Sequence, residues 1–229
     1  MSRATDQMSV WKGEFGKVYT DRNAMSLEEM DTLYGESYGV TRMELNKRFL
    51  GGVERSAKIL EVGANIGLQL QCLQKMGFLN LFGIELQGYA LEESKRRLRN
   101  IYMIRGSAFN LPFRNASFDL VFTSGVLIHI HPSELVKALR EIRRCSRRWI
   151  WGFEYFSEQC QEVVYRGKSN LLWKNNFARE YLKTYPALCL LKEEHLKYRQ
   201  NENLDSMFLL SLNHDQRKAE LIRDGGPVS

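Results

Sequence analysis

From Lys58 onward the chain alternates short apolar runs with stretches of helical periodicity, and this alternation limits the possible folds more than any other feature. An apolar run of a few residues between turn residues suits a strand buried on both faces. Helices between such runs join parallel neighbours into βαβ units. The runs are Lys58–Val62, Leu79–Ile84, Ile101–Ile104, Phe118–Thr123 and Trp149–Phe153. Between them, helical spacing links Ile66, Leu70 and Leu73 up to Gly77, then Leu91 and Leu98. After Pro132, whose missing N–H costs nothing at a first helical position, it links Leu135, Leu139 and Ile142. The expected fold is α/β and Rossmann-like, a mostly parallel sheet with helices on both faces.

Residues 1–57 precede this alternation and read as a helical lid or flank. Ser26-Leu-Glu-Glu29 has the form of a capping box, and Met43, Leu45 and Phe49 suggest helices leading into the first strand. The main domain is expected over 58–212. Within it, about 157–185 forms an insertion over the site containing a helix from Phe177 to Tyr185. Two strand-like segments follow, Leu188 to Leu191 and Ser206 to Leu212. Residues 213–229 read as a frayed tail.

Composition excludes several classes. With 44% hydrophobic and 26% charged residues in 229, the chain is of ordinary globular type. No apolar stretch approaches the roughly 18 residues of a membrane-spanning helix, and the amino terminus lacks the apolar core of a secretory signal, so a cytoplasmic location is expected. The four cysteines fall in no ligand spacing, which points to reduced thiols and no metal centre. The net charge of +6 lies largely in Lys95–Arg99 and Lys137–Arg148. Each reads as an amphipathic helix with a solvated basic face, and a polyanion-binding patch is the competing reading. Nucleic acid is therefore not the expected partner. Oligomeric state has no signature in the sequence.

The chemistry-bearing stretch is Glu61-Val-Gly-Ala-Asn-Ile-Gly67, placed where the first strand ends. Ligands of parallel α/β sheets bind at that end of the strands. Gly63 and Gly67 allow backbone to approach a ligand, and Asn65 tolerates positive φ. The spacing is not the G-x-G-x-x-G of dinucleotide sites, which favours a nucleoside without a diphosphate. Glu85 closes the second strand about 20 residues on, where an acid can accept both ribose hydroxyls. Phe118-Asp-Leu-Val-Phe-Thr-Ser-Gly-Val-Leu-Ile-His-Ile130 then runs from a strand into a loop.

Together these motifs resemble the class I S-adenosylmethionine-dependent methyltransferases, whose seven-stranded sheet has its last strand antiparallel. A narrower likeness rests on Trp11-Lys-Gly-Glu-Phe-Gly-Lys-Val-Tyr-Thr-Asp-Arg-Asn23, Gly63–Gly67, Gly125–Ile130 and Glu154-Tyr155. These stretches are similar to the methylases associated with pseudaminic acid biosynthesis, over about Val10 to Leu210. The resemblance implies S-adenosylmethionine as cofactor and a small-molecule acceptor. It implies cofactor contacts from Glu61, Gly63, Ala64, Asn65, Gly67, Glu85, Leu86, Ser107, Ala108, Phe109, Ser124 and Gly125, with Tyr19 and Arg22 from the lid. One departure is Gly106-Ser107-Ala108, where class members often carry Asp after the glycine for the adenine amino group.

For chemistry, His129 and Glu154 stand at strand carboxyl ends and are the expected catalytic groups, as base or acceptor contact. The alternatives are a loop-shaping histidine and a structurally paired acid. Asn23, Tyr155, Tyr165, Arg166, Asn170 and Lys174 are the remaining expected acceptor contacts, against a docked helix for the lid aromatics and a solvated loop for 165–174. The expected reaction is methylation of O or N on a small polar metabolite, such as a sugar, a nucleotide sugar or an amino-acid-like molecule. An RNA or protein methyltransferase, or a cofactor-binding scaffold without catalysis, are the alternatives.

Overall fold

The computed structural model describes residues 5–212; the expected tail lies outside the described residues. Four short helices come first: α1 (Asp6–Lys12), α2 (Glu14–Arg22), α3 (Leu27–Tyr38) and α4 (Arg42–Leu50). The capping box at α3 forms as expected, with Ser26 and Glu29 each satisfying the other's backbone N–H. A second, Thr41 with Glu44, starts α4. Each box satisfies two amide donors that a helix start leaves unpaired.

The alternating region gives β1 (Lys58–Val62), α5 (Leu68–Lys75), β2 (Asn80–Glu85), α6 (Gly88–Arg97), β3 (Tyr102–Arg105), β4 (Phe118–Ser124), α7 (Pro132–Cys145) and β5 (Ser146–Phe156). After β5 come a small hairpin of β6 (Gln161–Glu162) and β7 (Trp173–Lys174), then α8 (Phe177–Thr184), β8 (Cys189–Lys197) and β9 (Leu204–Ser211). The seven-stranded sheet has the order β3-β2-β1-β4-β5-β9-β8. Strands β1 to β5 pair in parallel, and β9 runs antiparallel to both β5 and β8. This is the Rossmann-like class I methyltransferase fold.

Alternate residues of β5 enter two different cores. Trp149, Trp151 and Phe153 pack with α4 residues Leu45, Phe49 and Leu50 on one face of the sheet. Ile150 packs on the other face with Leu135, Leu139 and Ile142 of α7 and with Phe177 and Tyr181 of α8. Because strand side chains alternate in direction, Glu154 and Tyr155 leave β5 on opposite faces. Across the strand pair, Tyr155 stands opposite Asp205 and Glu154 opposite Ser206.

Three boundaries differ from the sequence reading. The helix expected to carry Lys137–Arg148 stops at Cys145, and Ser146–Arg148 begin β5, where the exposed Arg147 pairs with Asp119. Strand β8 continues to Lys197, beyond the apolar Leu188–Leu191, because an edge strand needs only one buried side and tolerates Lys192, Glu193 and Glu194. The β6–β7 hairpin has too few paired residues to leave a periodic signature. On α6 and α7 four of the basic side chains find acids three residues back: Lys95 with Glu92, Arg96 with Glu93, Lys137 with Glu134 and Arg144 with Glu141. Among the described residues, no helix is long and apolar enough to cross a membrane.

Candidate active site

At the carboxyl ends of β1, β2, β4 and β5 lies a cavity of about 490 Å³, roofed by α1, α2 and α3. Its floor begins at the turn after β1. Gly63 has φ +75°, and a Cβ there would stand 2.6 Å from Val126 Cγ2, so no side chain fits. Asn65 takes φ 49° and donates its N–H to Glu85 Oε2 at 2.8 Å, while Gln87 N–H donates to Oε1 at 2.7 Å. Two backbone amides thereby aim the Glu85 carboxylate and leave lone pairs for a ligand. Burial still raises its pKa, because those amides offset only part of the lost hydration.

The amino-terminal helices are clasped to this floor. Gln87 Nε2 reaches the carbonyls of Trp11, Lys12 and Gly13 at 3.2, 3.0 and 2.9 Å. Trp11 packs on Phe15, Tyr19 and His129 with ring centroids 5.3, 5.1 and 4.4 Å apart. Helix α1 has no fully buried residue, and this clasp, these ring contacts and a bond from Gln7 Nε2 to the Asn170 carbonyl at 3.2 Å help to seat it.

His129 ends a short 3-10 turn, Leu127–His129, and its Nδ1 lies 2.7 Å from the Leu171 carbonyl. A carbonyl only accepts, so Nδ1 carries the proton and Nε2 keeps its lone pair. Burial lowers the His129 pKa to about 4, which leaves the ring neutral at pH 7. Glu154 is 1% exposed and accepts from the backbone N–H of Val126 (3.0 Å) and Ile128 (3.4 Å), in the turn that carries His129. Burial raises its pKa to about 7, against the pull of Thr123 and those amides. Its first task is thus to hold the His129 turn, and it also lines the cavity.

Of the residues expected at the site, Tyr19, Asn23, Glu61, Gly63, Ala64, Asn65, Glu85, Leu86, Ser107, Ala108, Phe109, Ser124, Gly125, His129, Glu154, Tyr155 and Tyr165 line the cavity. Arg22, Gly67, Arg166, Asn170 and Lys174 do not. Arg22 points outward, stacks on Tyr19 and donates to the Tyr165 hydroxyl, so it ties lid to insertion. Gly67, with φ +80°, caps α5, and its glycine suits that left-handed backbone conformation. Arg166 and Asn170 take positive φ in the exposed end of the β6–β7 hairpin. Lys174 bonds Asn203.

Sequence reasoning missed Gln87, Arg42 and a tyrosine group formed by Tyr34, Tyr38 and Tyr198. Arg42 is fully buried, donates to Asn46, Tyr34 and Ser124 at 3.0, 2.9 and 3.3 Å, and stacks on Phe153 with its guanidinium 4.4 Å from the ring centre. Its helix was legible, but the inward turn of one arginine depends on which face meets β5.

Comparison with known proteins bears on what this cavity holds. Residues 60–148 match the family model described as a methyltransferase domain. The chain is similar to methyltransferase domains over that stretch. Its fold is shared with 1,6-didemethyltoxoflavin-N1-methyltransferase of Burkholderia thailandensis, solved with S-adenosylhomocysteine bound: 14% identity, TM-score 0.67, covering 92% of each chain. A protein of Pyrococcus horikoshii OT3 aligns at 18% identity and TM-score 0.63, over 87% of this chain and 98% of that one. An uncharacterised protein of Haemophilus influenzae is 29% identical over 100 residues, 41% of this chain; the match spans 40% of that protein's length.

The cavity has donors and acceptors that fit S-adenosylmethionine. Buried polar atoms without a hydrogen-bond partner include Glu61 Oε2, Asn65 Oδ1 and Gln69 Oε1, all on residues lining the cavity around the β1 turn. Buried acceptors left unpaired are costly. An ammonium beside a sulfonium supplies the N–H donors and the positive charge they lack, and Glu85 is placed for a ribose diol. Burial holds the Glu61 pKa well above the usual carboxylate range, with the Arg42 guanidinium partly offsetting it. A cationic ligand would reverse that shift.

Proposed function

We propose that this chain methylates an oxygen or nitrogen of a small polar metabolite in the cytoplasm, a sugar, nucleotide sugar or amino-acid-like acceptor, with oxygen favoured. The observation that carries this reading is the juxtaposition, in one roofed cavity, of the β1 turn and Glu85 with a neutral His129 whose Nε2 is free. A volume of about 490 Å³ lies within the range of small-molecule sites. The Trp11–Asn23 stretch, which resembles the methylases associated with pseudaminic acid biosynthesis, forms part of the roof.

When bound, S-adenosylmethionine supplies an electrophilic methyl carbon, so the protein's work is alignment and exclusion of water. Glu85, Asn65 and Glu61 would hold the nucleoside and its amino-acid end. Trp11, Tyr19 and Tyr165 close the roof over the acceptor. Glu154 keeps the His129 turn in place through the Val126 and Ile128 amides. His129 Nε2 can take the proton an acceptor sheds. A histidine that protonates only near pH 4 draws a proton readily from the strongly acidic product of an alcohol's attack, but poorly from an alkylammonium, and this favours oxygen.

The test is calorimetry with S-adenosylhomocysteine, followed by transfer of labelled methyl from S-adenosylmethionine to sugars, nucleotide sugars and amino acids. Binding that is lost in Glu85→Ala, with label in a small molecule, is the expected result. Labelling confined to RNA or protein, with steep salt dependence, would overturn the acceptor class.

A further inference from the structure

Beyond the transfer centre, the cavity extends under α3 to the β8–β9 hairpin, where Asp205 sits among Tyr34, Tyr38, Phe153, Tyr155 and Tyr198. Asp205 is 1% exposed. Its Oδ2 accepts from the hydroxyls of Tyr38 and, at 3.0 Å, Tyr198, while its Oδ1 is buried with no partner. A clamp between α3 and β9 accounts for Oδ2 and leaves Oδ1 unexplained. A dry carboxylate oxygen with no donor is unfavourable unless something else pairs with it.

We infer that Asp205 is an acceptor-anchoring residue, whose free oxygen binds a protonated nitrogen of the small molecule to be methylated. This rests on the methyltransferase reading of the same cavity. The surroundings select a cation over a hydroxyl. The walls are aromatic rings, with Tyr38 and Tyr198 centroids 4.7 Å apart, Tyr34 and Phe153 5.8 Å, and Tyr155 and Tyr198 6.3 Å. Ring faces of this kind attract ammonium groups. The charged groups felt by Asp205 are Arg42 of α4 and Lys174 of β7. Neither lines the cavity: Arg42 is engaged by Asn46, Tyr34 and Ser124, and Lys174 by Asn203.

An ammonium has no lone pair, so the anchored nitrogen is not the atom methylated. Strand β9 lies two places from β4 in the sheet, a lateral offset of roughly 10 Å at the usual strand spacing. The acceptor is therefore a molecule with a basic nitrogen at one end and the methylated group at the other, of the amino alcohol or amino sugar kind.

The experiment uses the full chain saturated with S-adenosylhomocysteine and titrates benzylamine and its uncharged isostere benzyl alcohol by calorimetry. Benzylamine should bind at least about ten-fold more tightly than the alcohol, a conservative figure for a buried charge pair. Burial raises the Asp205 pKa to about 6. Amine binding should therefore weaken as pH falls from about 8 to about 5, where the carboxyl gains a proton and the amine keeps its charge. Asp205→Asn should weaken benzylamine at least about ten-fold and leave the S-adenosylhomocysteine affinity unchanged, whereas Tyr198→Phe should keep the preference for the amine. Absent amine binding, equal affinity for amine and alcohol, or no pH dependence in the unaltered protein would overturn the assignment even if Asp205→Asn fails to fold. Failure of S-adenosylhomocysteine to bind would instead overturn the methyltransferase reading, and the same amine titration on the cofactor-free chain would still decide Asp205.

Discussion

Replacing Glu154 with Gln should reverse the sign of its effect on stability between acid and alkaline pH. The carboxyl is buried, and its pKa rises from the ordinary 4.5 to about 7. The unfolded chain releases this proton near 4.5 and the folded chain only near 7, so between those values the folded state holds one more proton. The stability contributed by this group is complete below about 4.5 and is lost as pH rises to 7. At about 1.4 kcal/mol per pH unit, the loss is roughly 3 kcal/mol. Glutamine does not titrate and gives up one acceptor toward the Val126 and Ile128 amides, a constant cost of about 1 kcal/mol. Glu154→Gln should therefore be less stable than the unaltered protein near pH 4.5 and more stable near pH 8. Urea denaturation of both proteins at the two pH values measures the difference, and shifts at Asp205, Glu61, Glu85 and His129 cancel because both proteins share them. A difference independent of pH would refute the buried, titrating carboxyl. In turnover assays the same variant should slow methyl transfer and leave cofactor affinity nearly intact, since Glu154 contacts the His129 turn.

Gly63→Val should cost about 1–3 kcal/mol in stability, from positive φ and the contact with Val126, and abolish S-adenosylhomocysteine binding by calorimetry; unchanged affinity would place the cofactor elsewhere. His129→Phe should lower kcat by about 10²–10⁴ with a much smaller change in KM. In the unaltered enzyme the acid limb set by His129 should lie near pH 4, and a limb near 6.5 would contradict its burial. Arg22→Ala should change cofactor affinity by no more than about two-fold, as for an exposed side chain away from the site; a ten-fold loss would return Arg22 to the cavity.

The sequence determined the wheel of strands and helices and the ligand turn within it, because both are local. Apolar period specifies a buried strand or an amphipathic helix, and Gly63, Asn65 and Glu85 are required by backbone conformation and spacing within one βαβ unit. Polar side chains of the insertion were less informative: Arg166, Asn170 and Lys174 lie close in the chain to Tyr165 and Leu172, which line the cavity, yet do not line it themselves. Only the tertiary structure decided which side chains meet at the far end of the cavity. Tyr38 and Asp205 are 167 residues apart and are joined because β9 inserts antiparallel beside β5. Arg42 is inward only because α4 lays that face on Phe153. Such contacts depend on the packing of one layer against another, and no period or spacing along the chain encodes them.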